Sequence, residues 1–182
     1  MRIAAVALTA LLLTGCGATA DSPSVLSAAA EAAARSEFTI IAPQQRALFP
    51  AWSGTDLDGN AWNTSTLGAR YTVVNFWASW CQPCVDEWPE LQAAFVEHPD
   101  VNFLGINTMD ELPAARAFIA QHPSDYRQLP DGTAHILKDL TGIPNSNLPT
   151  TIILDNTRRV AAWKSGPLTV GQLRRALARL RR

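Results

Sequence analysis

The stretch Tyr71-Thr72-Val73-Val74-Asn75-Phe76-Trp77-Ala78-Ser79-Trp80-Cys81-Gln82-Pro83-Cys84 decides how the chain is read. Residues 71–77 are almost all apolar or β-branched, which predicts a strand buried on both faces. It runs directly into two cysteines one helical turn apart. After them Trp88, Leu91, Phe95 and Val96 recur at helical spacing until His98-Pro99, with Pro89 inside as a source of a kink. Outward from this unit, Asp58-Gly59-Asn60 is a turn signal between runs around Trp52 and Trp62, and predicts a hairpin. Downstream the pattern predicts a strand over 101–107, a helix over 112–121, a loop over 123–130 and a short helix over 133–140. Strands over 150–154 and 159–163 and a last helix over 170–180 complete it. Alternating β and α followed by a β-hairpin and a helix is an α/β arrangement, a mixed sheet with helices on both faces.

With 182 residues the chain has the length of one globular domain plus an N-terminal extension. Fifteen basic residues against sixteen acidic ones leave a net charge of −1, which offers no nucleic-acid surface. Residues 1–15 have one positive charge, a short apolar run and small residues at the end, the build of an export signal. The run is shorter than the about 20 residues of a membrane span. Leu13-Thr14-Gly15-Cys16 resembles the lipobox of bacterial lipoproteins, which implies lipidation of Cys16; an ordinary signal peptide is the other reading. Residues 16–46 are rich in Ala, Ser, Thr and Glu and read as a flexible tether, or as an extra helix packed on the domain. The folded domain is then expected over 47–182.

Of the three cysteines, a lipidated Cys16 leaves Cys81 and Cys84 with no other thiol to bridge. Export favours disulfides, so the pair is expected to cycle between dithiol and disulfide unless a metal holds it. A zinc site needs four ligands, and His98, His122 and His135 are scattered with no second cysteine pair. A purely structural bridge across two residues constrains little of the unfolded chain. Redox exchange fits better. At a helix start the first cysteine meets free backbone N–H groups and the positive end of the dipole, which favour its thiolate. Cys81 is the expected nucleophile and Cys84, on the same side of the first turn, the resolving thiol. Pro83 sits where its missing N–H costs the helix nothing.

Residues 75–84 resemble the active-site strand and turn of the thioredoxin superfamily. Within it the chain is similar to the TlpA/ResA group of membrane-tethered, extracytoplasmic thiol-disulfide oxidoreductases. It shares Trp80-Cys81-Gln82-Pro83-Cys84 with Glu87, the preceding hairpin, and Leu148-Pro149-Thr150-Thr151. The resemblance implies an α/β, thioredoxin-like fold with a mixed central sheet flanked by helices and an N-terminal β-hairpin extension. It implies a cis Pro149 beside the cysteines, with the Leu148 backbone free to pair with an extended substrate; a trans proline opening a strand is the other reading. Glu87 shares a helix face with Cys84, and a partly buried carboxylate there would have a raised pKa and could exchange the Cys84 proton. Its alternative is a solvent-facing helix glutamate. Cytosolic thioredoxins carry an aspartate where this chain has Asn75, and an amide cannot titrate.

Trp77 reads as core, while Trp80, Gln82 and Pro83 join Leu148 and Pro149 as substrate contacts. Residues 141–155 and 159–162 also resemble actinobacterial members linked to cytochrome c maturation. The implied function is a reductase anchored by lipid to the outer face of the cytoplasmic membrane. It would act on disulfide-bearing exported proteins such as apocytochrome c, draw electrons from a membrane thiol transporter, and need no cofactor. The alternatives are an oxidase that installs disulfides in exported proteins and, from another class, a metal-binding lipoprotein chaperone.

Overall fold

The computed structural model describes residues 37–143 and 147–182. Eight strands and four helices follow in order: β1 (Thr39–Ile40), β2 (Ser53–Thr55), β3 (Ala61–Asn63), β4 (Tyr71–Trp77), α1 (Gln82–Glu97), β5 (Asn102–Thr108), α2 (Leu112–Gln121), β6 (Arg127–Asp131), α3 (His135–Asp139), β7 (Thr150–Asp155), β8 (Val160–Ser165) and α4 (Val170–Leu180). Six strands form one mixed sheet in the order β1-β8-β7-β4-β5-β6, and β2 and β3 pair separately as the expected hairpin. The β4-β5 and β5-β6 pairs are parallel; the β4-β7, β7-β8 and β1-β8 pairs are antiparallel.

All seven residues of β4 are buried, as its run of apolar residues requires at the sheet centre. Alternate side chains enter two layers. Tyr71 and Val73 pack under α1 and α4 with Leu91, Ala94, Leu173 and Leu177. Val74 and Phe76 face the other way, toward α3 with Ile136 and Leu137. A third cluster at the end of β4 joins Trp77 and both cysteines to Trp88 and to Ala115 and Phe118 of α2. The last helix begins at a capping box, in which Thr169 and Gln172 bond reciprocally. Among the described residues no helix is long and apolar enough to cross a membrane.

Three expectations need correction. The folded part starts ahead of Ala47: Phe38 is buried in the main core, and β1 pairs through Thr39 and Ile40 with Trp163 and Ala162. Two paired residues are too few to show as a periodic run. The segment expected as a loop over 123–130 runs into β6 from Arg127, and β6 pairs on one side only, so Pro130 sits on an edge strand where its missing donor is tolerated. Val96 is exposed, and Ala94, three residues after Leu91, takes the inward place. The export signal, Cys16 and the tether up to residue 36 lie outside the described residues.

Candidate active site

Ala78, Ser79 and Trp80 turn the chain from β4 into α1, and Cys81 is the N-cap of that helix. The Cys84 backbone N–H donates to the Cys81 carbonyl at 2.9 Å and also to Cys81 Sγ at 3.3 Å, so the sulfur shares a donor of the first turn. Cys81 and Cys84 are joined as a disulfide, with Cα atoms 5.3 Å apart. Both are buried, yet only Cys81 lines the groove beside them, a cavity of about 420 Å³ whose other walls are Trp80, Gln82, Pro83, Met109, Asn147 and Leu148. The Leu148-Pro149 peptide is cis, as the resemblance implied. The structure thus gathers Trp80, Gln82, Pro83 and Leu148 with Cys81, and Pro149 follows directly on the groove wall.

Glu87 is buried on the helix that carries Cys84 rather than facing solvent. It is 2% exposed; its Oε1 accepts from Asn75 Nδ2 at 2.8 Å and its Oε2 from the Leu168 backbone N–H at 2.9 Å. Burial pushes its pKa up to about 7, against the opposing pull of those two hydrogen bonds and of Lys164. Asn75 Nδ2 also donates to Thr151 Oγ1 at 3.0 Å, so the residue that replaces the thioredoxin aspartate ties β4 to β7 and to the carboxyl group. A carboxyl poised near neutrality on the helix that carries Cys84 can take or return a thiol proton.

The raised pKa makes the fold pH-dependent. The neutral acid is favoured in the folded chain, so this contribution to stability is complete below about pH 4.5 and is lost as the pH rises through about 7. The shift corresponds to about 3 kcal/mol. Denaturant unfolding of the oxidised protein at about pH 4 and pH 8 is expected to differ between wild type and Glu87→Gln by that amount, the variant having the flatter profile. An equal slope in both would mean that Glu87 titrates normally.

Sequence reasoning missed one part of the site. Met109, with φ of 53°, stands in the left-handed region, and its carbonyl accepts from Trp80 Nε1 at 2.8 Å. Asp110 fixes this loop: its carboxylate accepts from the Ser79 N–H at 2.6 Å, Ser79 Oγ at 3.0 Å and Asn107 Nδ2 at 2.8 Å. Partial burial would raise the Asp110 pKa, but these hydrogen bonds outweigh it and hold the group below its ordinary value. The loop after β5 thereby sets the exposed indole of Trp80 against the groove. An aspartate after a strand was the available signal, and it is too common to single out.

The three histidines have other neighbours. His98 lies beside Glu97, His122 stacks on Phe118, and His135 Nδ1 is 2.6 Å from Asp131. Among the described residues no three His, Cys, Asp or Glu side chains converge as a metal site.

Comparison with known proteins agrees with this geometry. The AhpC/TSA family model matches residues 45–163. The chain is 32% identical over 100 residues to the thiol:disulfide interchange protein HelX of Rhodobacter capsulatus, covering 55% of this chain and 54% of that protein, so it spans about half of that relative's length. It is 25% identical over 133 residues to the thiol-disulfide oxidoreductase ResA of Bacillus cereus, covering 72% of this chain and 75% of that one. Among solved structures, a DsbF homologue from Corynebacterium diphtheriae superposes with a TM-score of 0.70 at 26% identity, covering 78% of this chain and 92% of the other. A secreted thiol-disulfide isomerase from Corynebacterium glutamicum gives 0.69 at 28% identity, covering 77% and 89%.

Proposed function

Since the chain belongs to the AhpC/TSA family and has a thioredoxin-like fold, we propose that it is a thiol-disulfide oxidoreductase acting on partner proteins outside the cytoplasm. The observation that carries this is the Cys81-Cys84 disulfide at the start of α1, with Cys81 on a groove beside Leu148 and the buried Glu87 on the same helix. In the reducing direction the Cys81 thiolate attacks a partner disulfide. A mixed disulfide forms, and the partner's other sulfur leaves as a thiolate. Cys84 then gives its proton to Glu87 and attacks the Cys81 sulfur, which closes the internal disulfide and releases the partner's second sulfur as a thiolate, to which Glu87 can return the proton. The Leu148 backbone offers pairing to an extended substrate segment, and Trp80, Gln82, Pro83 and Pro149 border its path.

The finer reading is a reductase that keeps the haem-attachment cysteines of apocytochrome c reduced, supplied with electrons by a membrane thiol transporter. Its basis is the likeness of residues 141–155 and 159–162 to actinobacterial members of that pathway. An extracytoplasmic site is supported by the Corynebacterium glutamicum relative, which is described as secreted, and by residues 1–16, which read as an export signal and resemble a lipobox at Leu13-Thr14-Gly15-Cys16. The reduction potential of the Cys81-Cys84 couple tests the direction. A value near about −270 mV is expected of a reductase, whereas one near about −120 mV would make the chain an oxidase for exported proteins.

A further inference from the structure

A second cavity opens at the end of the sheet away from the cysteines. β7 starts at Thr150, beside the cis-Pro149 of the groove, and ends at Asp155, about 17 Å along the strand. There a cavity of about 320 Å³ lies between the base of the β2-β3 hairpin and the turn into β8, walled by Trp52, Ser53, Asn63, Ser65 and Arg158. No acidic side chain is among its walls. Arg158 is partly buried and stands in the left-handed region at φ of 61°, where an arginine is uncommon. Its backbone is fixed on both sides: the N–H donates to the Asp155 carbonyl at 2.9 Å, and the carbonyl accepts from the Phe49 N–H at 2.9 Å. Among the described residues its guanidinium has no hydrogen bond or ion pair, although the neighbouring arginines do. Arg46 is paired with Asp155 at 2.9 Å, and Arg159 Nη1 donates to the Arg46 carbonyl at 2.8 Å. Asp155 is fully engaged without Arg158. Its Oδ2 holds Arg46, while Oδ1 accepts from the Thr157 N–H, Thr157 Oγ1 and the Arg159 N–H.

We propose that this cavity binds a small carboxylate ligand that carries hydroxyl groups, an acid of the uronic type, with Arg158 on the carboxylate and Trp52 against the ring. The site goes beyond thiol-disulfide exchange and shares no lining residue with the groove at Cys81. Its walls are set before a ligand arrives, which lowers the cost of binding. The Trp52 ring packs on the core layer that contains Val74 and Phe76, and it lies so close to Gly54 that an added Cβ there would come within 2.8 Å of it. The Trp52 backbone is held by Thr64, whose N–H donates to the Trp52 carbonyl at 2.9 Å and whose Oγ1 accepts the Trp52 N–H at 3.0 Å. Of its carboxamide Asn63 engages Oδ1, which accepts from the Ser65 N–H at 3.0 Å and from the Ser65 hydroxyl. Among the described residues the Asn63 amide N–H groups and the Trp52 indole N–H have no acceptor.

One cation with neutral donors around it matches a single negative charge, and a guanidinium meets a carboxylate through two parallel hydrogen bonds. A phosphate, with about two charges, would leave one of them unmatched. The other walls combine an indole surface with a carboxamide and the hydroxyls of Ser53 and Ser65, groups that both donate and accept. That combination suits a polyhydroxylated ring better than a hydrocarbon. The volume is that of a small-molecule site, at the low end of the usual range.

The competing account is an arginine whose stem covers apolar surface while its head stays in water. Titration of the oxidised full chain with D-glucuronate, followed by heteronuclear NMR, separates the two. The Trp52 indole N–H and the Asn63 carboxamide are expected to shift saturably. D-glucose, which lacks the carboxylate, and acetate, which lacks the ring, should each bind at least about tenfold more weakly. Arg158→Asn removes the charge with a residue that tolerates left-handed backbone, and should weaken glucuronate binding by the same factor while disulfide turnover stays at the wild-type rate. If that variant does not fold, the ranking of the probes on the wild-type chain decides. The absence of a saturable shift overturns the site, as does glucose or acetate binding as tightly as glucuronate. Inorganic phosphate binding as tightly would reveal a general anion site and overturn the carboxylate assignment. A chain that binds glucuronate yet turns over no disulfide keeps this site and loses the proposed function.

Discussion

Replacing Cys81 by serine is expected to lower disulfide exchange by about 10³-fold or more, because a hydroxyl oxygen cannot form the mixed disulfide on which both steps depend. The fold should survive. Cys81 is the N-cap of α1, and serine is among the preferred residues at that position, so the introduced hydroxyl oxygen can accept the Cys84 N–H in place of the sulfur. Thiol release from a disulfide-bonded test protein measures the loss, and a melting curve shows that it is chemical. Cys84→Ser gives the complementary result: the first attack proceeds, the second cannot, and the partner stays covalently bound to Cys81. Mass spectrometry of the non-reduced mixture detects that adduct. Accumulation of the adduct by Cys81→Ser, and not by Cys84→Ser, would reverse the two roles.

The second large effect is on stability and lies one strand away from the cysteines. Gly105 of β5 has the Gln128 side chain lying across it, and a Cβ built there would come within 2.5 Å of the Gln128 carboxamide carbon. Gln128 cannot give way freely. Its Oε1 accepts from Trp77 Nε1 at 2.9 Å, and its Nε2 donates to Ser124 Oγ at 2.9 Å. Gly105→Ala therefore forces the carboxamide off Trp77 and leaves a buried indole N–H without a partner. Overpacking of about 1–3 kcal/mol combined with an orphaned buried donor of about 1–3 kcal/mol gives an expected loss near 4 kcal/mol. Equilibrium unfolding in denaturant measures it. A loss below about 1 kcal/mol would mean that Gln128 finds another seat and that Trp77 does not depend on it.

The parts of the molecule that could be read in advance are those whose cause is local. A run of mostly apolar and β-branched residues gives β4, Leu173 and Leu177 one turn apart give the inward stripe of α4, and Pro83, two residues after the capping Cys81, fits the first turn of α1. Glu87 was half legible: its spacing from Cys84 gives the helix face but not its depth, which depends on Leu168 arriving from the far end of the chain. What could not be read depends on partners distant in sequence. The strand β1 is two residues long and exists because β8 offers it an edge. Gln128 looks like a loop residue until β6 is seen to pair with β5. Met109 and Asp110 matter through Trp80 and Ser79, about thirty residues earlier, and no pattern within either segment announces the contact.

The cap on α1 has one more consequence. The sulfur that breaks and makes the disulfide also shares the Cys84 N–H with the Cys81 carbonyl at the first turn of a helix, so the redox state of the site and the heat tolerance of the domain are thermodynamically linked. A free thiolate at Cys81 accepts the Cys84 N–H more strongly than a disulfide sulfur does, which favours the reduced fold. If the reduced protein melts above the oxidised one, the pair is a better electron acceptor than the same dithiol in an unfolded chain. If it melts below, the pair is a better donor. About 1.4 kcal/mol between the two unfolding free energies is worth about 30 mV. Two calorimeter scans, one on each redox form, can therefore rank the chain as a source or a sink of electrons before any physiological partner has been found.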